Sequence, residues 1–308
     1  MAANKDIAGE GNEYHVPVLF SETMELLNID PAGTYVDCTM GGGGHSKGIL
    51  QRLGPNGRLI VFDQDEDAAR NVPDDERVIF VPHNFRHLKR FLKLHRAIPV
   101  HGILADLGVS SHQFNEASRG FSTRFDADLD MRMDVKQDLT AASILNSYAE
   151  ADLQKMFSEF GEVTNARTLA STIAEARRIT PFSGIAQFRE AVKHIVKGNP
   201  NKYFAQVFQA LRIEVNDEMR ALTEMLEQSA EVLAPGGRLA VITFHSGEDR
   251  LVKNFLKGEI EEDPSDLYGG KRNSMFRLIT KKPVAASREE TGKNPRSRSA
   301  KLRVAEKI

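Results

Sequence analysis

Through the first third of the chain, apolar residues come in short unbroken runs that each end on a polar residue. Tyr35-Val36 runs into Asp37, Leu59-Ile60-Val61-Phe62 into Asp63, Val78-Ile79-Phe80-Val81 into His83-Asn84, and Ile103-Leu104-Ala105 into Asp106. A run that is apolar at consecutive positions covers both faces of a strand, as in a parallel sheet. Helix-period stretches lie between the runs. Ser21 reads as the N-cap of a helix with Met24 and Leu27 inward, Ser46 to Leu53 as a second, and Phe85 to His95 as another with Leu88, Phe91 and Leu92 inward. A short helix starts at Glu66. Strands and helices that alternate over short connections predict a doubly wound α/β sheet.

From Gln113 to Asn201 the strand signal is gone. Three helical patterns replace it: Thr140 to Phe160 (broken near Tyr148), Thr164 to Arg178, and Ser183 to Lys197. Thr140 and Ser183 are the cap candidates, and Gly161 and Gly198 the stops. Residues 114–202 therefore read as an inserted all-helical domain. Residues 13–113 and 203–308 form the discontinuous sheet domain, and 1–12 a disordered tail. Tyr203 to Leu233 reads as one long helix that returns the chain to the sheet, with Phe204, Val207, Leu211, Leu222 and Leu226 on its stripe. After the Ala234-Pro235-Gly236-Gly237 turn, Arg238 to Thr243 is a fifth strand and Glu248 to Lys257 a helix. Met275 to Thr280 and Leu302 to Ala305 read as a final pair of edge strands.

Composition narrows the setting. The 308 residues are 41% hydrophobic and 27% charged, with a net charge of −2. No apolar run approaches the roughly 20 residues of a membrane helix. Met1 to Asn12 lacks the apolar segment of a signal peptide. The single cysteine, Cys38, excludes an internal disulfide and fits a reducing cytoplasm. A near-neutral chain can bind nucleic acid only through local charge. The basic run 271–307, with Lys271, Arg272, Arg277, Lys281, Lys282, Arg288, Lys293, Arg296, Arg298, Lys301, Arg303 and Lys307, is the phosphate-binding candidate. In the insertion, Arg167, Arg177, Arg178, Arg189, Lys193 and Lys197 form either a second basic face or a solvated helix surface.

Open α/β sheets bind ligands beyond the carboxyl ends of their strands, so the residues delivered there carry the chemistry. The first strand delivers Gly41-Gly42-Gly43-Gly44-His45, a turn that permits close backbone approach before a helix N-terminus. These glycines do not fit G-x-G-x-x-G, which argues against a dinucleotide. The second strand delivers Asp63, 19 residues beyond Gly44 and spaced to accept from two ribose hydroxyls. Asp65 and Asp67 read instead as a helix cap and a first-turn acid. Phe85, beyond the third strand, packs on an adenine ring or in the core. Asp106 and Ser110-Ser111 follow the fourth strand, and Phe244-His245-Ser246 the fifth. His83 and His87 lack a third metal ligand. Asp126, Asp128, Asp130 and Asp134 alternate with Phe125, Leu129, Met131 and Met133, which favours a folded loop over the cleft rather than a magnesium site.

Taken together, these words resemble the MraW/RsmH family of ribosomal RNA methyltransferases. The matching stretches are His15-Val16-Pro17-Val18-Leu19, Gly43-Gly44-His45-Ser46, Ala105-Asp106-Leu107-Gly108-Val109-Ser110-Ser111, Arg119-Gly120-Phe121-Ser122, Leu129-Asp130-Met131-Arg132-Met133-Asp134, Gln209-Ala210-Leu211-Arg212-Ile213-Glu214-Val215-Asn216, Leu233-Ala234-Pro235-Gly236-Gly237-Arg238-Leu239, Phe244-His245-Ser246 and Asn294-Pro295-Arg296-Ser297-Arg298-Ser299. The resemblance implies a class I Rossmann-like methyltransferase fold and S-adenosyl-L-methionine as cofactor. It implies transfer to the exocyclic N4 of a cytidine in the decoding region of 16S rRNA, on the small ribosomal subunit. It also implies a cofactor site of Gly43, Gly44, His45, Asp63, Phe85, Asp106 and Gln113. Two positions depart from the family: Gly247 stands where a bulky apolar residue is usual, and Gly42 where many members carry a larger one.

For methyl transfer to an amine, the chain must align the nitrogen, receive a proton and exclude water. Asp106 is the first candidate, orienting the amine or contacting the cofactor's amino group. His245 is the second, as proton acceptor or phosphate contact, against a hydrogen-bonded structural role. Two other readings stay open: a methyltransferase acting on DNA or another RNA, and a cofactor-binding ribosome assembly factor.

Overall fold

The computed structural model describes residues 17–110, 113, 114, 116–258 and 274–308. The tail 1–12, His15, Val16, Ser111, His112, Lys271 and Arg272 lie outside the described residues. Eight strands form one sheet: β1 (Thr34–Asp37), β2 (Arg58–Phe62), β3 (Val78–Val81), β4 (Val100–Asp106), β5 (Leu233–Thr243), β6 (Phe276–Leu278), β7 (Val284–Ala285) and β8 (Lys301–Lys307). Their order is β3-β2-β1-β4-β5-β8-β6, with β7 paired to β8. The first five are parallel, and β8 runs antiparallel to both β5 and β6. The expected edge pair is thus half corrected. β6 is an edge, whereas β8 is interior, which its buried Leu302, Val304 and Ala305 require.

Alternate residues of the strands feed two cores, one on each face. On one face Val36, Ile60, Ile103 and Val241 meet α3 (Leu88–Leu94), α9 (Glu218–Val232) and α10 (Ser246–Lys257). On the other, Tyr35, Val61, Leu104 and Ile242 meet α1 (Phe20–Leu27) and α2 (Gly44–Leu50). A third core is built by α4 (Ala141–Ser147), α5 (Glu150–Glu159), α6 (Ala166–Ile179), α7 (Ile185–Val192) and α8 (Pro200–Val215). Phe204, Val207, Phe208 and Leu211 belong to this helical core, so by packing the helical body reaches Val215, whereas the expected boundary lay at residue 202.

Three local expectations are corrected. Tyr203 to Leu233 is two helices, because the Asn216 side chain leaves the helix to bond Met131 O and Met133 N, and Asp217 turns at φ 50°. The first helix starts at Phe20 with no side-chain cap, and Ser21 lies inside it. Ser183 does not cap α7: its N–H and hydroxyl both go to Gln187, and Gly184 is the capping position. Thr140, by contrast, forms a full capping box with Ser143.

Candidate active site

The glycine turn is shaped by what surrounds it. Gly41 and Gly43 hold φ of 49° and 74°, which side-chain-bearing residues rarely adopt. A Cβ on Gly44 would stand 2.3 Å from Pro17, so the first turn of α2 lies hard against the segment before α1. Asp63 fastens the turn to β2: Oδ2 accepts the Gly41 N–H at 2.8 Å and Oδ1 the Asp65 N–H at 2.9 Å. Burial, opposed by those two N–H groups, pushes its carboxyl up to about 6.

Behind the turn lies a column of buried ionisable groups. Asp37, at the end of β1, accepts from Ser46 Oγ at 2.6 Å and from Thr39 N at 3.0 Å. His45 Nε2 lies 3.0 Å from the Val18 carbonyl, so that nitrogen carries the imidazole proton. Burial holds His45 below the usual imidazole range, against the pull of Asp37. Its remaining nitrogen, Nδ1, is then an acceptor, and it faces Asp106 Oδ2 at 3.5 Å. Burial, with Asp37 and Glu248 nearby, raises Asp106 well above the usual carboxylate range. The other oxygen, Asp106 Oδ1, is buried without a hydrogen-bond partner. That orphaned acceptor fits a cationic or N–H-bearing ligand at the end of β4.

The end of β5 is built differently. His245 caps α10: its Nδ1 accepts the Glu248 N–H at 3.3 Å, and Glu248 Oε2 returns to Phe244 N at 2.8 Å and His245 N at 3.3 Å. His245 Nε2 is 3.2 Å from Glu248 Oε1, near enough for charge contact but off the line of a hydrogen bond. Burial works against ionising Glu248, yet His245, Arg212 and the Phe244 N–H together hold it below the usual carboxylate range. The Nδ1 lone pair of His245 is thereby committed to the backbone.

Gln113 reaches the same region by way of Asp65. Its Nε2 donates to Asp65 Oδ2 at 2.7 Å, and its Oε1 accepts the Ser110 N–H at 3.0 Å. Asp65 also caps the turn Glu66–Asn71, as its position predicts. Arg119 closes this corner, 3.0 Å from Asp65 and bonded to the Arg132 and Met133 carbonyls. Phe85 is half-buried at the start of the turn Phe85–His87 and packs against the core beside α3. The sequence reading missed Asp37 and Arg119 as site residues. The available signals were an acid ending an apolar strand just before the glycines, and a lone arginine opening the insertion.

The acid-rich loop is tied by its own neighbours. Asp130 pairs with Arg132 at 2.8 Å, Asp126 accepts from Ala186 N, and Asp134 from Lys136 N. Among the described residues no cluster of His, Cys, Asp or Glu has a metal-holding arrangement. Much of the basic run is paired: Arg303 and Lys301 with Asp249, Arg277 with Glu306, and Lys293 with Glu289.

Five parallel strands, an interior antiparallel strand and a glycine turn backed by buried acids define a Rossmann-like methyltransferase. The family model described as the MraW methylase family matches residues 12–308. The chain belongs to that family. It is 53% identical over 298 residues to the "Ribosomal RNA small subunit methyltransferase H" of Flavobacterium johnsoniae, covering 96% of this chain and 98% of that one. It is 52% identical over 300 residues to the protein of the same name from Bacteroides fragilis, covering 97% and 99%. The Parabacteroides distasonis protein of that name is 53% identical over 298 residues, covering 96% and 98%.

Proposed function

We propose that this chain transfers a methyl group from S-adenosyl-L-methionine to the N4 amine of a cytidine in the decoding region of 16S rRNA, acting on the small ribosomal subunit in the cytoplasm. The observation that carries the reading is the orphaned Asp106 Oδ1 beside a glycine turn in which Gly42 has nothing within 4 Å of its Cβ position. Family membership over nearly the whole chain and the relatives' names supply the substrate class.

When bound, the cofactor supplies an electrophilic methyl on a sulfonium. Gly43 and Gly44 let the start of α2 close against Asn71 and Pro17, Gly42 leaves the outer side of the turn open, and Asp63 offers its remaining lone pairs to ribose hydroxyls. Phe85 supplies an apolar wall for the adenine. His45 sets the Asp106 carboxyl through Nδ1, and Gln113 holds the loop after β4 against Asp65. Asp106 Oδ1 receives an N–H, either from the donor's ammonium or from the cytosine amine, and so orients it. With the cofactor bound, the amine nitrogen would gain the methyl as the sulfonium gives it up, and the amine proton released would have to leave through the cleft. His245 acts as a positioning residue by starting α10, since its Nδ1 is already occupied. The test is methyl transfer from labelled S-adenosylmethionine to purified, unmodified small subunits, followed by nucleoside analysis. N4-methylcytidine is expected, and its absence with competent subunits sinks the reading.

A further inference from the structure

The loop after β2 carries Asp63, and its next three side chains all meet the inserted segment 119–136. Gln64 Nε2 lies 3.3 Å from Met133 Sδ, Asp65 Oδ2 3.0 Å from the Arg119 guanidinium, and Glu66 Oε1 2.6 Å from Lys136 Nζ. These contacts are unequal. Glu66 and Lys136 leave 62% and 73% of their side chains open, so water competes with their pairing. Asp65 and Arg119 leave only 8% and 12% open, so neither charge has water to replace its partner.

Local sequence makes Arg119 a bridge. Gly120 holds φ 72°, and a Cβ there would stand 2.4 Å from Asp128 O, so glycine lets residues 128–133 fold back over Arg119. The Met131 N–H then donates to Arg119 O at 3.1 Å. Arg119 Nη2 donates to the Arg132 and Met133 carbonyls at 3.1 and 3.0 Å, while Nη1 meets Asp65. A planar guanidinium serves both sides in one fixed geometry, which a lysine ammonium does not reproduce. The far side of this strap is anchored too, because Asn216 bonds Met131 O at 2.8 Å and Met133 N at 2.7 Å. What the strap holds leads on to the donor side of the site. Asp65 Oδ2 accepts from Gln113 Nε2 at 2.7 Å, and the Asp65 N–H donates to Asp63 Oδ1 at 2.9 Å. Gln64 Oε1 accepts from Asn84 Nδ2 at 2.7 Å, and Asn84 caps the turn that begins at Phe85. Asp63, Phe85 and Gln113 are thus each tied, within a few bonds, to Arg119 or to the strap it closes.

We propose that Arg119 is a positioning residue for the cofactor: through Asp65 it fixes Gln113 and the loop that presents Asp63, so that the inserted segment backs the donor pocket. The proposal rests on the cofactor contacts of the methyl-transfer reading above. Its test is calorimetric titration of the full chain with S-adenosylmethionine, with methyl transfer to purified small subunits measured beside it. Arg119→Met is expected to raise the cofactor Kd and KM alike by about tenfold, while kcat at saturating cofactor falls less than about twofold. Arg119→Lys keeps a charge for Asp65 but not the fork, and is expected to lose about threefold. Asp65→Asn is expected to cost about tenfold alone but less than about twofold more in the Arg119→Met background, because the arginine acts through Asp65. A lower Tm with an unchanged cofactor Kd in Arg119→Met makes the residue merely structural and overturns the proposal. Losses that multiply in the double variant overturn it as well. If Arg119→Met does not fold, Arg119→Lys takes its place in the same cycle and is judged by the same outcomes. Gln113→Ala separates the two levels. An unchanged Kd there defeats the site assignment and this proposal with it, whereas a raised Kd there beside an unchanged Kd in Arg119→Met defeats this proposal alone.

Discussion

Two carboxyl groups stand beyond the ends of β4 and β5, Asp106 part-buried and Glu248 buried, and the two are handled in opposite ways. Glu248 is engaged on both oxygens: two backbone N–H groups donate to Oε2, His245 lies against Oε1, and it stays ionised despite burial. Asp106 is left with one oxygen unpartnered, and burial raises its carboxyl well above the usual range. A buried acid whose oxygens both face groups of its own chain is holding a helix start in place. A part-buried acid with one oxygen left unpartnered has capacity for a further donor. The comparison separates a carboxyl spent on the fold from one with an oxygen to spare, although both follow strands that point the same way.

The largest effect that could break this comparison is at Asp106. Asp106→Ala is expected to lower methyl transfer by about 10²–10⁴-fold, measured as kcat/KM, while leaving Tm unchanged or raised. A Tm that falls with full activity retained would make Asp106 the structural member. Glu248→Ala comes next. It strips Phe244 N–H and His245 of their acceptor and is expected to cost about 3 kcal/mol in denaturant unfolding. Glu248→Gln should recover part of that.

His245→Asn sharpens the same contrast at lower cost. Asparagine caps as well as any residue, so stability should change by about 1 kcal/mol or less and activity by less than about tenfold. A loss of hundreds-fold would instead place the proton acceptor at His245. The smallest effect is a pH dependence. Asp63 is charged above about 6 and offers lone pairs to hydroxyl donors, whereas protonation below that value blocks one of them. Cofactor affinity should therefore weaken as pH falls through about 6, read by calorimetric titration, and Asp63→Asn should flatten that dependence.

The sheet was legible because consecutive apolar positions such as Leu59 to Phe62 permit little else, and β4 matched its expected limits at Val100 and Asp106. The delivery of Gly41 to His45, Asp63 and Asp106 to neighbouring strand ends followed from the same logic. What could not be read was set by partners far away in sequence. Nothing near Asn216 announces that Met131 and Met133 will claim its amide and end a helix there. The apolar stripe continues past it, but its two halves serve different cores. The His45 imidazole gained its place from Val18 and Asp106 together, and no local pattern encodes that pairing. The charge of the basic run was visible, whereas the acids that neutralise part of it, such as Asp249, lie on another element.

The position of β8 has a consequence for the order in which a ribosome makes this fold. Residues 34–243 can lay down five parallel strands, but β5 then presents an open edge that only residues 301–307 will cover. The start of α1 waits as well, since the Leu19 N–H is satisfied by Glu290 Oε1, 271 positions later. Pro17 and Val18, which press on Gly44 and receive His45, stand beside that same junction. The nascent chain thus emerges with its strand-end acids in sequence order but with the mouth of the site unfinished until residues 288–307 arrive. Competence for the cofactor should appear late and abruptly during synthesis, as a property of the completed chain.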